Sequence, residues 1–135
     1  MTRPQVYLVE DYADTRLIVT TLLDDAGMAV TAVPDAAALT TALAAGPAPD
    51  LFLIDISLPA EDGFRLLRRL RRDPRWRGVP MVALTAHAMA GDAERGLAAG
   101  FDAYLTKPLD ARTFAAQVRK LLPLPRSNGD VTNAC

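Results

Sequence analysis

Glu10 and Asp11 follow the apolar run Val6-Tyr7-Leu8-Val9, and Asp55 follows Leu51-Phe52-Leu53-Ile54. Thr85 follows Met81-Val82-Ala83-Leu84, and Thr106-Lys107-Pro108 follow Ala103-Tyr104-Leu105. Singly, an acidic residue after such a run is a solvated turn or a helix cap. Together they are costly: carboxylates about 4 Å apart repel by about 4 kcal/mol per pair at an effective dielectric near 20. Three such pairs rival the ~5 to 15 kcal/mol that holds a whole domain folded. Convergence of these groups therefore requires a cation. An all-oxygen, partly aqueous site suits Mg²⁺, which keeps several waters and takes one or two carboxylates plus phosphate oxygens. With one histidine and one cysteine, the chain offers no ordinary zinc set. Lys107 adds a compact positive charge on a flexible stem. Metal and lysine together would make one aspartate a good acceptor for an incoming anion.

Convergence depends on the elements that carry these residues. The apolar runs, with Val30-Thr31-Ala32-Val33 as a further one, have strand length. Three are continuous rather than alternating, as in strands covered by helices on both faces. Between them lie segments of helical spacing. Ile18, Val19, Leu22, Leu23 and Ala26 form one stripe, with Asp14 as N-cap and Gly27 as the closing residue. Asp35 caps an Ala-rich second helix ending near Gly46-Pro47, and Phe64, Leu66, Leu67 and Leu70 stripe a third ending before Pro74. A fourth runs from Asp92 to Ala99 and stops at Gly100; a fifth starts at Asp110 and carries Phe114, Val118, Leu121 and Leu122. Five strand-helix alternations with short connections predict an α/β, doubly wound parallel sheet with helices on both faces. Ligands of such sheets bind beyond the carboxyl ends of the strands, where the strand order reverses.

The 135 residues suit one domain. Residues 1–4 read as an N-terminal extension, 5–122 as the domain, and 123–135 as a disordered polar tail. At 50% hydrophobic and 23% charged the composition excludes a disordered or collagenous chain. Fifteen basic against sixteen acidic residues leave a net charge of −1, so no general basic field recruits nucleic acid or anionic lipid. The one cysteine, Cys135, allows no intrachain disulfide. No signal-peptide core or membrane-length apolar stretch is visible, so a cytoplasmic location is expected.

Val9-Glu10-Asp11, Asp55-Ile56-Ser57-Leu58-Pro59 with Asp62-Gly63, Leu84-Thr85-Ala86 and Lys107-Pro108 resemble the signature set of the receiver domains of two-component response regulators. The resemblance covers residues 5 to 122, and the run Leu84 to Met89 is most similar to receivers of hybrid kinases and of single-domain regulators. It implies a flavodoxin-like strand order of 2-1-3-4-5. It implies that Asp55 is the phosphoacceptor, attacking a phosphohistidine on a sensor histidine kinase or histidine phosphotransfer protein. Asp11 and Asp55 would hold Mg²⁺ directly, Glu10 through water, and Ser57 by its backbone carbonyl. Thr85 and Lys107 would hold the phosphoryl oxygens. Thr85 and Tyr104 would form the switch, altering the surface of the fourth helix, fifth strand and fifth helix; the alternative for Tyr104 is an edge aromatic that stays put. Ser57 and His87 would tune hydrolysis, although a lone histidine is also an ordinary solvated loop residue. Leu58 stands where the family more often has Met, and Ser57 where Asn is frequent. Met1 and the short polar end favour a complete single-domain product over the alternative, a cut from a longer hybrid protein; it is expected to be monomeric or to dimerise on phosphorylation, and to catalyse only its own phosphorylation and dephosphorylation.

The alternative is a small aspartyl-phosphate phosphohydrolase of the haloacid dehalogenase type, which would want a second acid two residues after the nucleophile, where Ser57 stands. A flavodoxin-like electron carrier would need a phosphate-cradling loop after the first strand, where Glu10-Asp11-Tyr12-Ala13-Asp14 repels phosphate. Arg65, Arg68, Arg69, Arg71, Arg72, Arg75 and Arg77 read as a solvated face, and direct nucleic-acid binding is not expected. Trp76 among them reads as buried against the third helix. The isomer of Lys107-Pro108 is open at this stage.

Overall fold

The computed structural model describes residues 3–56, 63–85 and 100–123. Five strands, β1 (Gln5–Val9), β2 (Ala29–Val33), β3 (Leu51–Asp55), β4 (Met81–Thr85) and β5 (Ala103–Thr106), form one parallel sheet in the order β2-β1-β3-β4-β5. This is the expected doubly wound arrangement. Four helices are described: α1 (Ala13–Asp25), α2 (Ala36–Ala45), α3 (Gly63–Arg72) and α4 (Phe114–Leu121). The helix expected over 92–99 and the tail from 124 lie outside the described residues.

The two-residue period of each strand divides the core into two layers. Tyr7, Val9, Phe52, Ile54, Met81 and Ala83 pack with Leu39 of α2, Phe64, Leu66, Leu67 and Leu70 of α3, and Trp76. Val6, Leu8, Leu51, Leu53, Val82 and Leu84 face the other way, onto Val19 and Leu23 of α1 and Phe114 and Val118 of α4. Burying each such side chain contributes about 1.5–3 kcal/mol. Every residue of β3 and β4 is buried, whereas β5 alternates between half-buried and exposed, as an edge strand does.

Helix ends follow local chemistry, with three corrections. Asp35 caps α2 as expected: its Oδ1 accepts from the Ala38 N–H at 2.8 Å. Gly27, at φ 91°, closes α1 with paired bonds from Gly27 N to Asp24 O and from Met28 N to Leu23 O. However, α1 begins earlier than Asp14: its N-cap is Tyr12, which makes no side-chain cap bond, and Asp14 lies in the first turn, where its charge suits the helix dipole. Ile18 is also not in the core; it is exposed beside Leu17, because Val19 and Leu23 take the buried face. The last helix starts at Phe114 rather than Asp110, since the Asp110 side chain accepts from Arg112 N and holds a turn before it.

Candidate functional site

In this strand order the reversal falls between β1 and β3, and the carboxyl ends of both carry acids. Register places Val9 beside Ile54, Asp55 beside Leu84 and Thr85 beside Thr106. Residues separated by up to 97 positions are thereby gathered at one rim, as the apolar runs predicted. One carboxylate oxygen from each of Glu10, Asp11 and Asp55 lies within 4.8 Å of the others. Lys107 enters from the end of β5, its Nζ 2.7 Å from Glu10 Oε1 and 3.3 Å from Asp55 Oδ2. Its backbone N–H donates to Thr85 O at 2.8 Å, which ties the lysine to the end of β4. The Lys107-Pro108 bond is cis.

Glu10, Asp55 and Thr85 are buried, while Asp11 is exposed, so the cluster opens on one side. Glu10 Oε2 accepts from the Tyr12 N–H at 3.1 Å. Among the described residues, the partner of Glu10 Oε1 is the Lys107 ammonium, in an ion contact at 2.7 Å. Three carboxylates against one ammonium leave two negative charges. The all-oxygen donor set and this charge deficit fit a hard divalent cation.

The charges register this strain. Burial pushes the Glu10 carboxyl above its ordinary value of 4.5, and nearby Asp55 adds to the rise, outweighing Lys107 and the Tyr12 N–H. Burial alone would depress Lys107, but contact with Glu10 and the charge of Asp55 hold its ammonium above the ordinary 10.5. A carboxyl raised in the folded state contributes most stability below its unfolded value and loses that contribution as pH climbs through its folded value. Glu10→Gln is therefore expected to raise the urea midpoint over wild type at pH 7 in a chelator, and the gain should vanish below pH 4.5. Adding Mg²⁺ at pH 7 should reverse the order, because the wild type then gains a larger ligand-linked increment than the amide. Equal midpoints at pH 7 with and without Mg²⁺ would contradict this.

Gly63, the first residue of α3, fits where little else would. A methyl carbon there would lie 2.6 Å from Ile56 Cα and 2.7 Å from the Asp55 carbonyl oxygen. The close approach sets α3 directly against the chain leaving Asp55. Tyr104 sits on edge strand β5 with 37% of its surface exposed. Ser57 and His87 lie outside the described residues. Trp76 is buried, as expected, edge-on to Phe52 at 6.2 Å, with the Arg75 guanidinium 4.7 Å from its ring centroid. Arg71 is also no solvated charge: it donates to Arg77 O, Val79 O, Gly100 O and Asp102 Oδ2, joining α3 to the entrances of β4 and β5. The sequence reading missed this role.

Comparison with known proteins places this sheet and its acidic rim. Residues 6–119 match the response regulator receiver domain. The chain belongs to that family. It is 38% identical over 105 residues to an uncharacterized 14.6 kDa protein from the sodA1 3′ region of Leptolyngbya boryana, covering 78% of this chain and 79% of that one. It is 37% identical over 131 residues to the sensor histidine kinase GacS of Pseudomonas protegens, covering 93% of this chain but 14% of the kinase. Further curated relatives are likewise longer, and the chain spans 26% to 49% of their length. Among solved structures, the receiver domain of the sensor histidine kinase PA1611 from Pseudomonas aeruginosa, with a magnesium ion coordinated in its active site cleft, matches at a TM-score of 0.78 and 31% identity. That likeness covers 89% of this chain and 98% of the other. Among the described residues no helix is long and apolar enough to cross a membrane.

Proposed function

We propose that this chain is a single-domain response regulator, acting in the cytoplasm, that accepts a phosphoryl group onto Asp55 from a phosphohistidine of a sensor histidine kinase or histidine phosphotransfer protein. The observation that carries this reading is the buried Asp55 carboxylate 3.3 Å from the Lys107 ammonium, within reach of two further acids at the open end of the sheet. Mg²⁺ would be held by Asp11, Asp55 and the Ser57 backbone carbonyl, with Glu10 through water, and would neutralise charge on the phosphoryl oxygens. Asp55 supplies the nucleophile: a carboxylate oxygen forms the new bond to phosphorus as the phosphorus–nitrogen bond of the donor breaks, and the imidazole keeps that electron pair. Lys107 holds a phosphoryl oxygen, and Thr85, buried at the end of β4, offers its hydroxyl to another. The work of the protein is alignment and charge balance.

The family resemblance supports a readout through Thr85 and Tyr104. Thr85 shifting toward the phosphoryl group vacates space that the exposed Tyr104 ring enters, and the surface around β5 and the flanking helices changes for a downstream protein partner. The protein acts as a signalling phosphoacceptor, catalysing only its own phosphorylation and dephosphorylation, with Ser57 and His87 setting the lifetime. The deciding experiment is intact mass after incubation with acetyl phosphate, in Mg²⁺ and in chelator. One added phosphoryl group in Mg²⁺ and none in chelator is the expected result. An unchanged mass in both, or an adduct indifferent to the metal, overturns the reading.

A further inference from the structure

Asp11 is the one acid of the cluster that is exposed, and its carboxylate makes no hydrogen bond or ion pair among the described residues. Its position is therefore set by its backbone, the short connection from β1 to α1. That connection is thinly held. Tyr12 caps α1 without a side-chain bond, and the backbone bonds are Glu10 N to Val33 O at 3.0 Å and Arg16 N to Tyr12 O at 3.1 Å. One side chain outside the acid cluster braces it: Arg16, half-buried on the first turns of α1, whose Nη1 donates to the Glu10 carbonyl oxygen at 2.8 Å. The bond spans six residues, from α1 back to the residue that leaves β1.

We infer that Arg16 is a positioning residue for the cation site, locking the Glu10-Asp11 backbone so that both carboxylates address the space beside Asp55. This deepens the receiver reading and rests on it. Partners that orient ligands from behind are worth about 10- to 100-fold in metal affinity, and a planar guanidinium gives up little freedom in making such a bond. The sign of the effect separates positioning from plain electrostatics. Removing a positive charge near an acidic site should by itself tighten cation binding; loss of a brace should weaken it.

The test is calorimetric Mg²⁺ titration of wild type, Arg16→Met, which keeps the apolar stem without donor or charge, and Arg16→Lys, which keeps the charge and a single donor. Phosphoryl uptake from acetyl phosphate is followed against Mg²⁺ concentration in parallel. Arg16→Met is expected to raise the Mg²⁺ dissociation constant about tenfold, with uptake at saturating Mg²⁺ within about twofold of wild type, and Arg16→Lys to fall between. A dissociation constant in Arg16→Met equal to or tighter than wild type overturns the inference; should that variant not fold, wild-type affinity in Arg16→Lys does the same. Failure of the receiver reading is seen separately, as wild type that binds Mg²⁺ yet gains no phosphoryl group.

Discussion

Asp55→Asn is expected to gain no mass from acetyl phosphate under conditions where wild type gains one phosphoryl group. The amide matches the carboxylate in shape, so the pairing of β3 with β4 at Leu84 is kept, but its oxygen carries no full negative charge and its nitrogen lone pair is delocalised. The nucleophile is gone while its surroundings stay. Stability should not suffer. Asp55 is 4% exposed and shares the rim with Glu10 and Asp11, so a neutral side chain relieves repulsion at the end of β3. Glu10 and Asp11 serve as internal controls, since both remain acidic and close by in the variant. Intact mass together with a urea melt is the check, and a phosphoryl adduct retained on a folded Asp55→Asn protein would move the acceptor elsewhere.

Gly63→Ala should cost both stability and rate. The added methyl would meet backbone, Ile56 Cα at 2.6 Å and Asp55 O at 2.7 Å, and backbone cannot swing away as a flexible side-chain end can. Either α3 retreats, opening the layer where Phe64 packs edge-on to Phe101 at 5.9 Å, or the chain after Asp55 is displaced. Overpacking of this kind costs about 1–3 kcal/mol. Misplacing a reacting group by roughly 1 Å can slow a reaction about 10²-fold. The variant is therefore expected to unfold at lower urea and, where still folded, to take up the phosphoryl group about 10²-fold more slowly. The check is uptake kinetics at saturating Mg²⁺ beside equilibrium unfolding. A wild-type rate and midpoint would show that the close approach of α3 to Asp55 has no bearing on the site.

Most of the architecture was legible along the chain. Apolar runs of strand length and stripes at helical spacing announced the five strands and the four described helices, and Asp35, Gly27 and Pro74 marked ends correctly because caps and breakers act over a few residues. Legibility failed where two local signals competed. Asp14 and Asp110 both look like helix caps, yet α1 opens on Tyr12 and α4 on Thr113, because the Asp110 side chain satisfies a turn donor instead. Ile18 joined the apolar stripe on spacing alone, while Val19 and Leu23 take the buried face of α1 and leave it outside.

The composition of the rim was determined by the sequence itself: acids, hydroxyl and lysine stand at strand ends, and alternation of strand and helix in a parallel sheet brings those ends to one side. Which atoms meet there was decided by the tertiary structure alone. Lys107 pairs more closely with Glu10 than with Asp55, Gly63 presses on the Asp55 backbone, and Arg16 reaches back to the Glu10 carbonyl. The reason is one of length scale. Periodicity and capping are written in contacts a few residues apart, whereas differences of tenths of an ångström between side chains as distant as positions 10 and 107 emerge only once both layers of the core have packed.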